Sequence, residues 1–338
     1  MRKVYIIILF IILQTSISGC GNPPLKASAD MKPETKEVQA EDSKTAGEKS
    51  TSVRKEAVNE SIEPEAEKDA GVITDTVVDV FREADVQSER VTQAIFNQRV
   101  TVLDAKENWV RIKVVDGYTG WVKSKYVEKD TWSVDYKKYK YKVVITAKTK
   151  KIYSQVKGGG TLKEVVMGTE LYAVNKADSW YHVALPGKST GWVSESGSIQ
   201  IPADGKIPKT TAVDFIATAN KFKGSVYLWG GVSALGIDCS GLTYICSRLN
   251  GVDLPRDADQ QYELGEKVGK DVKAMKPGDF VFFSSKEDLK GISHVGIYIG
   301  NNQFIHASSS KGSVTVGSMD DDYYRKRLAG VRRHFTDQ

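Results

Sequence analysis

One thiol of this sequence has the surroundings expected of a nucleophile. Cys239 is followed by apolar residues at helical spacing, Leu242, Ile245, Cys246 and Leu249. Cys239 is therefore expected at the N-terminus of a helix, where the helix dipole and free N–H groups favour an anion. That position is expected to lower the pKa of the thiol and to favour the thiolate. A nucleophilic thiol also needs a base.

Two of the four histidines fall in one hairpin-like segment, and they are the candidate base and its partner. His294 begins an alternating strand pattern, and His306 lies in the strand that follows a polar turn. If Ile299 pairs with Gln303 across a three-residue turn, both imidazoles share one face, roughly 7 Å apart. One imidazole can then act as the base while the other orients it. A slip of one residue would place them on opposite faces.

If the first of the three cysteines, Cys20, is lipidated, the other two predict a chain without an intramolecular disulfide. Cys239 and Cys246 are seven residues apart on one predicted helix, so their Cα atoms lie about 10 Å apart, beyond the roughly 7 Å limit for a bridge. Cys246 is expected to be a small buried side chain. Zinc is a competing use of cysteine and histidine, but no second cysteine stands at ligand spacing. We expect no metal and no cofactor.

The N-terminus reads as a secretory signal. A basic start at residues 1–3 leads into a short apolar run, which ends in Ile17-Ser18-Gly19-Cys20. This ending resembles a bacterial lipobox, so residues 1–20 are predicted to be a lipoprotein signal peptide with Cys20 as the lipidated residue. The alternative is a plain signal peptide that is cleaved elsewhere. The lipid would anchor the exported protein to the outer face of the bacterial cell membrane.

Composition shifts divide the rest of the chain. Residues 21–71 are rich in Lys, Glu, Ala, Ser and Thr and predict a disordered tether. An internal repeat follows, in which residues 108–122 align without gaps to residues 179–193, each ending in Thr-Gly-Trp-Val. Strand-turn-strand patterning in both copies predicts two small β-barrels, at residues 72–130 and 140–203. Residues 209–338 predict helices followed by strands, an α+β domain.

Four segments of this last domain resemble the NlpC-type cell-wall cysteine peptidases. They are Asp238-Cys239-Ser240-Gly241, Lys276-Pro277-Gly278-Asp279, the strand that starts at His294, and Ile305-His306-Ala307. The resemblance implies a papain-like catalytic domain with Cys239 as nucleophile, His294 as base and later acid, and His306 as the orienting residue. It also implies that Tyr227 and the backbone N–H of Cys239 lie near the oxyanion.

The whole arrangement resembles a subfamily of these enzymes, the YkfC-type γ-D-glutamyl-L-diamino-acid endopeptidases. There, two bacterial SH3-like barrels precede the catalytic domain, and the first barrel closes one end of the cleft. The resemblance implies that a free N-terminal L-alanine is required and is bound by side chains of two domains. The matching residues are Glu83, Tyr118, Asp238, Ser240 and Asp257.

The expected protein is thus multidomain, with two all-β SH3-like barrels followed by an α+β papain-like domain. Its expected activity is hydrolysis of the γ-D-glutamyl-L-diamino-acid bond in peptidoglycan-derived peptides. Two alternatives stay open, a D,L-endopeptidase acting on intact peptidoglycan stems and a wall-binding adaptor without catalysis. The expected partners are peptidoglycan peptides and the membrane, not nucleic acid, since the net charge is only +5. We expect a monomer, and either meso-diaminopimelate or lysine suits the pattern.

Overall fold

The computed structural model describes residues 70–336. The predicted signal peptide, the lipidation residue Cys20 and most of the predicted tether lie outside the described residues. Ala70 and Gly71, the last two residues assigned to the tether, instead belong to a β-strand. None of the helices in the described part of the chain is long and apolar enough to span a membrane.

The first β domain consists of seven antiparallel strands within residues 70–130. They are β1 Ala70–Ile73, β2 Val77–Phe81, β3 Arg90–Ile95, β4 Arg99–Lys106, β5 Trp109–Lys113, β6 Thr119–Lys123 and β7 Val127–Glu128. Their order in the sheet is β3-β2-β6-β5-β4-β1-β7. Alternate residues turn inward, so that Val80, Ile112 and Val122 are completely buried in the core of the domain.

The second β domain repeats this topology strand for strand within residues 140–203. Its strands are β8 Tyr141–Ile145, β9 Thr149–Gln155, β10 Gly158–Val166, β11 Glu170–Ala177, β12 Trp180–Leu185, β13 Ser189–Ser194 and β14 Ser198–Pro202. Their order is β10-β9-β13-β12-β11-β8-β14. The repeated sequence segments form equivalent hairpins, in which Arg111 pairs with Trp121 and His182 with Trp192. The predicted pair of β-barrels is confirmed.

The C-terminal domain, residues 209–336, places helices against an antiparallel sheet, as predicted. Its helices are α1 Ala212–Asn220, α2 Cys239–Leu249, α3 Ala258–Tyr262 and α4 Asp322–Arg327. Its strands are β15 Val232–Ser233, β16 Gly236–Ile237, β17 Glu266–Val268, β18 Phe280–Phe283, β19 His294–Gly300, β20 Gln303–Ser308, β21 Ser313–Ser318 and β22 Leu328–Arg333. In this described region six strands form one sheet in the order β17-β22-β18-β19-β20-β21.

Helix α2 forms the centre of this domain because its apolar stripe faces the sheet. Leu242 and Cys246 are completely buried, and they belong to one core with Val295 and Ile305 of strands β19 and β20. Complete burial of an aliphatic side chain contributes about 1.5–3 kcal/mol. This packing holds the N-terminus of α2 beside the β19–β20 hairpin.

Glu170 connects all three domains. Its carboxylate bonds Lys142 of the second β domain at 3.0 Å and Arg248 of helix α2 at 2.9 Å. Its backbone carbonyl accepts a hydrogen bond from the Asn97 amide of the first β domain at 2.9 Å. Burial alone would raise the pKa of Glu170, but the two cations lower it below its ordinary value. The carboxylate therefore stays charged and holds α2 against the second β domain, while the backbone carbonyl of the same residue links the first β domain.

We expect Glu170→Ala to lower the free energy of unfolding by about 2 kcal/mol, because it leaves the largely buried Arg248 without its anion. Urea denaturation followed by tryptophan fluorescence would measure the loss. Asp253→Ala is the matched control, because it removes a carboxylate from an exposed, 3.9 Å pair with Lys206. That change should alter stability by no more than about 0.5 kcal/mol. Equal effects of the two substitutions would contradict the role given to Glu170.

Candidate active site

Cys239 is the first residue of helix α2, as predicted. Asp238 caps this helix, since its Oδ1 accepts a hydrogen bond from the Gly241 backbone N–H at 2.7 Å. The backbone N–H groups of Val295 and Ser240 donate to the Cys239 sulfur. The thiol is thus held between the start of the helix and strand β19, and only 8% of Cys239 is exposed.

The predicted fall in the pKa of this thiol is wrong for the site as it stands. Burial, followed by the nearby Asp238 carboxylate, raises the pKa of Cys239 to about 12. The N–H donors from Val295 and Ser240 and the Arg256 charge act in the opposite direction, but they do not outweigh these effects. The helix position was read correctly, while the degree of desolvation depends on tertiary packing.

The predicted face-sharing of the two histidines is confirmed, although the turn differs. Ile297 pairs with Ile305 and Tyr298 with Phe304, which is the predicted register. The hairpin then closes with Gly300 opposite Gln303, so that Ile299 is the extra residue of a bulge. A two-residue Asn301-Asn302 turn replaces the predicted three-residue turn, with φ of 51° and 57°.

The two imidazoles are directly hydrogen-bonded. His294 Nε2 lies 2.8 Å from His306 Nδ1. We assign the proton of this bond to His294 Nε2, because that tautomer leaves Nδ1 of His294 free to take a proton from a thiol. His306 then accepts the bond and holds the ring of His294 in place. This direct contact differs from a metal site, and no cluster of metal-ligating side chains occurs among the described residues.

An aromatic wall packs against the histidine pair and buries much of it. The rings of Phe304 and Tyr324 lie 4.8 Å and 5.5 Å from His306, and Phe283 lies 6.0 Å from His294. Burial lowers the pKa of His294 to about 4. Burial, together with the charge of His294, lowers the pKa of His306 to about 3. The resting pair is therefore a neutral thiol beside a neutral imidazole.

Arg256 is a central residue of the site that sequence reasoning missed. Its guanidinium bonds the Asp238 Oδ2 at 2.6 Å, and only 3% and 8% of the two side chains are exposed. It also donates to the Ser240 hydroxyl at 2.8 Å and to the Gly231 carbonyl at 3.2 Å. The available signal was an arginine directly before Asp257, a residue that the resemblance had already placed at the site.

Asp238 and Ser240, which were predicted to bind substrate, are directed inward by these bonds. Asp238 Oδ2 accepts a second hydrogen bond from the Gly230 backbone N–H at 2.8 Å, so both carboxylate oxygens have protein donors. The Ser240 hydroxyl lies between Arg256 and Asp238. The two side chains shape the loop before the nucleophile, and their accessible surface is small.

Two more of the predicted residues meet across a domain boundary. The Tyr118 hydroxyl of the first β domain donates to Asp257 Oδ2 at 2.5 Å. Burial, then this hydrogen bond, raises the pKa of Tyr118, so the phenol stays protonated. Asp116 accepts hydrogen bonds from the Thr92 hydroxyl and the Tyr118 backbone N–H beside this contact. Its pKa is raised by burial.

The loop that contains Glu83 contacts the same side of the C-terminal domain through other residues. Glu89 accepts a hydrogen bond from the Trp229 indole at 3.1 Å, and Arg90 donates to the Trp229 carbonyl at 3.1 Å. Glu83 itself is exposed, and its backbone bonds the Ser88 hydroxyl. The structure therefore brings Tyr118 and Asp257 together and leaves Glu83 at the surface of the adjoining loop.

Cys239, His294 and His306 open into one cavity of about 670 Å³, which Tyr227 and Trp229 also line. Burial, then proximity to Cys239 and Asp238, raises the pKa of Tyr227, so its hydroxyl remains a hydrogen-bond donor. A cavity of this size accommodates a short peptide. The arrangement can transfer an acyl group to sulfur, with the imidazole moving the proton.

Comparisons with known proteins agree with this geometry. The model of the NlpC/P60 family matches residues 224–333, and that of the bacterial SH3 domain matches residues 76–128. The gamma-D-glutamyl-L-lysine dipeptidyl-peptidase of Bacillus cereus is 30% identical over 72% of this chain and 74% of its own length. The chain belongs to the NlpC/P60 family of cysteine peptidases.

Two further relatives extend the comparison. The protein of the same name from Bacillus subtilis is 40% identical, over 38% of this chain and 43% of its own length. A solved NlpC/P60 family protein from Bacillus cereus has a TM-score of 0.72 with 25% identity, and the match covers 79% of this chain and 99% of that one. The combined fold of β domains and catalytic domain is therefore shared.

We expect Arg256→Met to lower the free energy of unfolding by about 3–5 kcal/mol, because it leaves the buried Asp238 charge uncompensated. Adding Asp238→Asn in the same chain should return part of this loss, since a buried amide costs less than a buried charge. Urea denaturation of the single and double variants would test both expectations. If the changes in the free energy of unfolding simply added in the double variant, the coupling of the two side chains would be contradicted.

The acid limb of kcat/KM should lie near pH 4 rather than near the ordinary histidine value of 6.5. The base acts only when neutral, and its lowered pKa of about 4 keeps it neutral until the pH falls through that value. A pH–rate profile, with circular dichroism confirming that the fold persists, would measure this. An acid limb near pH 6.5 would show instead that burial does not lower the pKa of the His294 imidazole.

Proposed function

We propose that this protein hydrolyses the γ-D-glutamyl-L-diamino-acid bond of peptidoglycan-derived peptides. Cys239 acts as nucleophile, His294 as base and acid, and His306 as the residue that orients His294. The observation that carries this proposal is the 2.8 Å bond between His294 and His306 in one cavity with Cys239. The name of the Bacillus cereus relative, a gamma-D-glutamyl-L-lysine dipeptidyl-peptidase, supports the choice of bond.

The chemistry follows from the neutral resting pair. As the sulfur attacks the γ-carbonyl of D-glutamate, the thiol proton moves to Nδ1 of His294, and a tetrahedral oxyanion forms. The Tyr227 hydroxyl and the Cys239 backbone N–H stabilise this oxyanion. His294 then protonates the amine of the diamino acid, which leaves. Water, deprotonated by His294, hydrolyses the thioester and restores the thiol.

The first β domain closes one end of the cleft in this proposal. Three hydrogen bonds to the C-terminal domain support that role. They join Tyr118 to Asp257, Glu89 to the Trp229 indole, and Gln93 to the Val232 backbone N–H. A substrate that continues past this end would have to displace them. The enzyme therefore acts on released peptides whose chain begins close to the scissile bond, in preference to intact peptidoglycan stems.

The closed end suits the ammonium of a free N-terminal L-alanine. Three carboxyl groups lie around a single cation there, Arg256, and they belong to Asp257, Asp116 and Asp238. Arg256 is already paired to Asp238. Asp257 contacts the ammonium, while Asp238 acts through its charge and Ser240 through the loop that it holds. Glu83 lies on the adjoining loop as a second, outer carboxylate. Charge-assisted hydrogen bonds are about twice as strong as neutral ones.

A comparison of L-Ala-γ-D-Glu-diamino acid with its N-acetylated form tests the requirement for a free amine. We expect acetylation to reduce kcat/KM by about 100-fold, since it removes the charge that the carboxylates bind. Mass spectrometry would identify the released dipeptide, and Cys239→Ala should release none. Equal cleavage of both forms would favour the alternative activity on intact stems. Binding without turnover by the wild-type protein would favour the adaptor.

Asp257→Asn separates the ammonium contact from the chemistry. The variant should reduce kcat/KM for the free-amine peptide by about 10-fold and should leave the slow cleavage of the acetylated peptide nearly unchanged. Asp259→Asn is the matched control, because Asp259 is an exposed carboxylate in helix α3, two residues after Asp257. A loss of equal size in the control, or on both peptides, would contradict the contact.

Export and membrane anchoring complete the proposal. The signal-like residues 1–20 would direct export, and lipid on Cys20 would hold a monomeric enzyme at the outer face of the membrane. Metabolic labelling with a fatty acid, compared between the wild type and Cys20→Ala, would test this. Label in the wild type alone, with release of the variant into the medium, is the expected result. Label in both would contradict lipidation at Cys20.

A further inference from the structure

The cavity extends beyond the catalytic pair along the sheet of the C-terminal domain. Strands β18 to β21 and helix α4 form this part of it. Its lining is rich in hydroxyl groups and contains one cation, Lys311, and one carboxylate, Asp321. The serines of this part are Ser284, Ser285, Ser293, Ser308, Ser309, Ser310 and Ser318. Tyr118 and Asp257 do not line it.

This end of the cleft receives the leaving part of the substrate. The inference rests on the proposed function, in which the acyl part, L-Ala-γ-D-Glu, occupies the closed end at Tyr118 and Asp257. Because the scissile carbonyl must lie at Cys239, the amine side of the bond continues into the serine-lined part. The leaving residue is a diamino acid, which carries at least one carboxylate.

The turn that carries Lys311 is held rigidly in the fold. Its backbone N–H donates to the Ser308 hydroxyl at 3.3 Å, and that hydroxyl lies 3.1 Å from the Ser310 hydroxyl. The next residue, Gly312, has a φ of +66° and accepts a hydrogen bond from the Tyr227 backbone N–H at 2.8 Å. The turn is thereby tied to the strand segment that lies beside the nucleophile.

The Lys311 ammonium is unpaired within residues 70–336, although it lines the cavity. Asp321, the carboxylate of the same lining, is engaged differently. Its Oδ1 caps helix α4 by accepting a hydrogen bond from the Tyr323 backbone N–H at 2.8 Å. Lys311 is therefore the charged group that remains available to an anion in this part of the cleft.

We propose that Lys311, with the hydroxyls of the Ser308–Ser310 turn, binds a carboxylate of the leaving diamino acid. An ammonium surrounded by hydroxyl donors is complementary to a carboxylate, and charged hydrogen bonds are the stronger ones. The carboxylate has two sources, the α-carboxylate of any diamino acid and the additional side-chain carboxylate of meso-diaminopimelate. Lys311 thus contributes to the choice of leaving group without taking part in the chemistry.

The test compares Lys311→Ala with wild type on tripeptides that differ only in these carboxylates. The substrates are L-Ala-γ-D-Glu-L-Lys and L-Ala-γ-D-Glu-meso-diaminopimelate. Each is used with the carboxylates of the diamino acid free and with its α-carboxylate amidated. The diaminopimelate peptide is also used with both carboxylates of the diamino acid amidated. We expect Lys311→Ala to lower kcat/KM about 10-fold for a peptide with the recognised carboxylate and to leave its amide unaffected. Lys270→Ala, an exposed lysine outside the cavity, is the control and should match wild type.

The outcomes identify the source or reject the subsite. If Lys311→Ala lowers kcat/KM for both free peptides but not for their α-amides, Lys311 binds the α-carboxylate. If the variant lowers kcat/KM only for the diaminopimelate peptide, and still does so after α-amidation, Lys311 binds the side-chain carboxylate. Equal losses on free and fully amidated peptides, or no loss at all, would overturn the proposal while wild-type cleavage still supported the proposed function. Failure of the wild type to cut any of these peptides would instead overturn the proposed function.

Discussion

The buried ion pair between Asp238 and Arg256 holds together the part of the molecule on which the site depends. It lies at the N-terminus of helix α2, and each partner makes further bonds to the backbone around it. These bonds position two segments together. One is the loop at Gly230 and Gly231, which precedes the nucleophile, and the other is the first turn of the helix. Such a pair is weak evidence for net stability, because desolvation opposes attraction. Its contribution here is to specify one geometry.

Desolvation is the second constraint, and it sets the protonation states of the catalytic groups. The apolar core beneath α2 and the aromatic wall around the histidines bury much of the thiol and the two imidazoles. Charged forms are disfavoured in such surroundings, so thiol and imidazole are neutral together.

The two β domains share one topology but make different contacts. The first provides Tyr118 to the cleft, and the equivalent position of the second is Ser189, which is exposed and bonds its own turn. The second instead supports helix α2 from behind, through Glu170 and Arg248. The two domains thus share one scaffold, and the side chains at a few turn positions determine which part of the C-terminal domain each one contacts.

Much of the site could be predicted from local patterns in the sequence. The apolar spacing after Cys239 determines a helix that starts there, because a 3.6-residue period specifies which side chains share a face. The alternation around His294 and His306 likewise predicts one shared face, and the repeated Thr-Gly-Trp-Val segments predict two equivalent hairpins. These properties depend on residues within a few positions of one another.

Only the tertiary structure decided the pKa directions, the role of Arg256 and the placement of the predicted substrate residues. The thiol pKa rises because distant segments cover it, and burial by such segments has no local signature. Asp238 and Ser240 face inward because Arg256, 18 and 16 residues away in the chain, reaches them. Tyr118 meets Asp257 across 139 residues, while Glu83 remains exposed. Periodicity specifies the face on which a side chain lies, and long-range packing determines what it meets there.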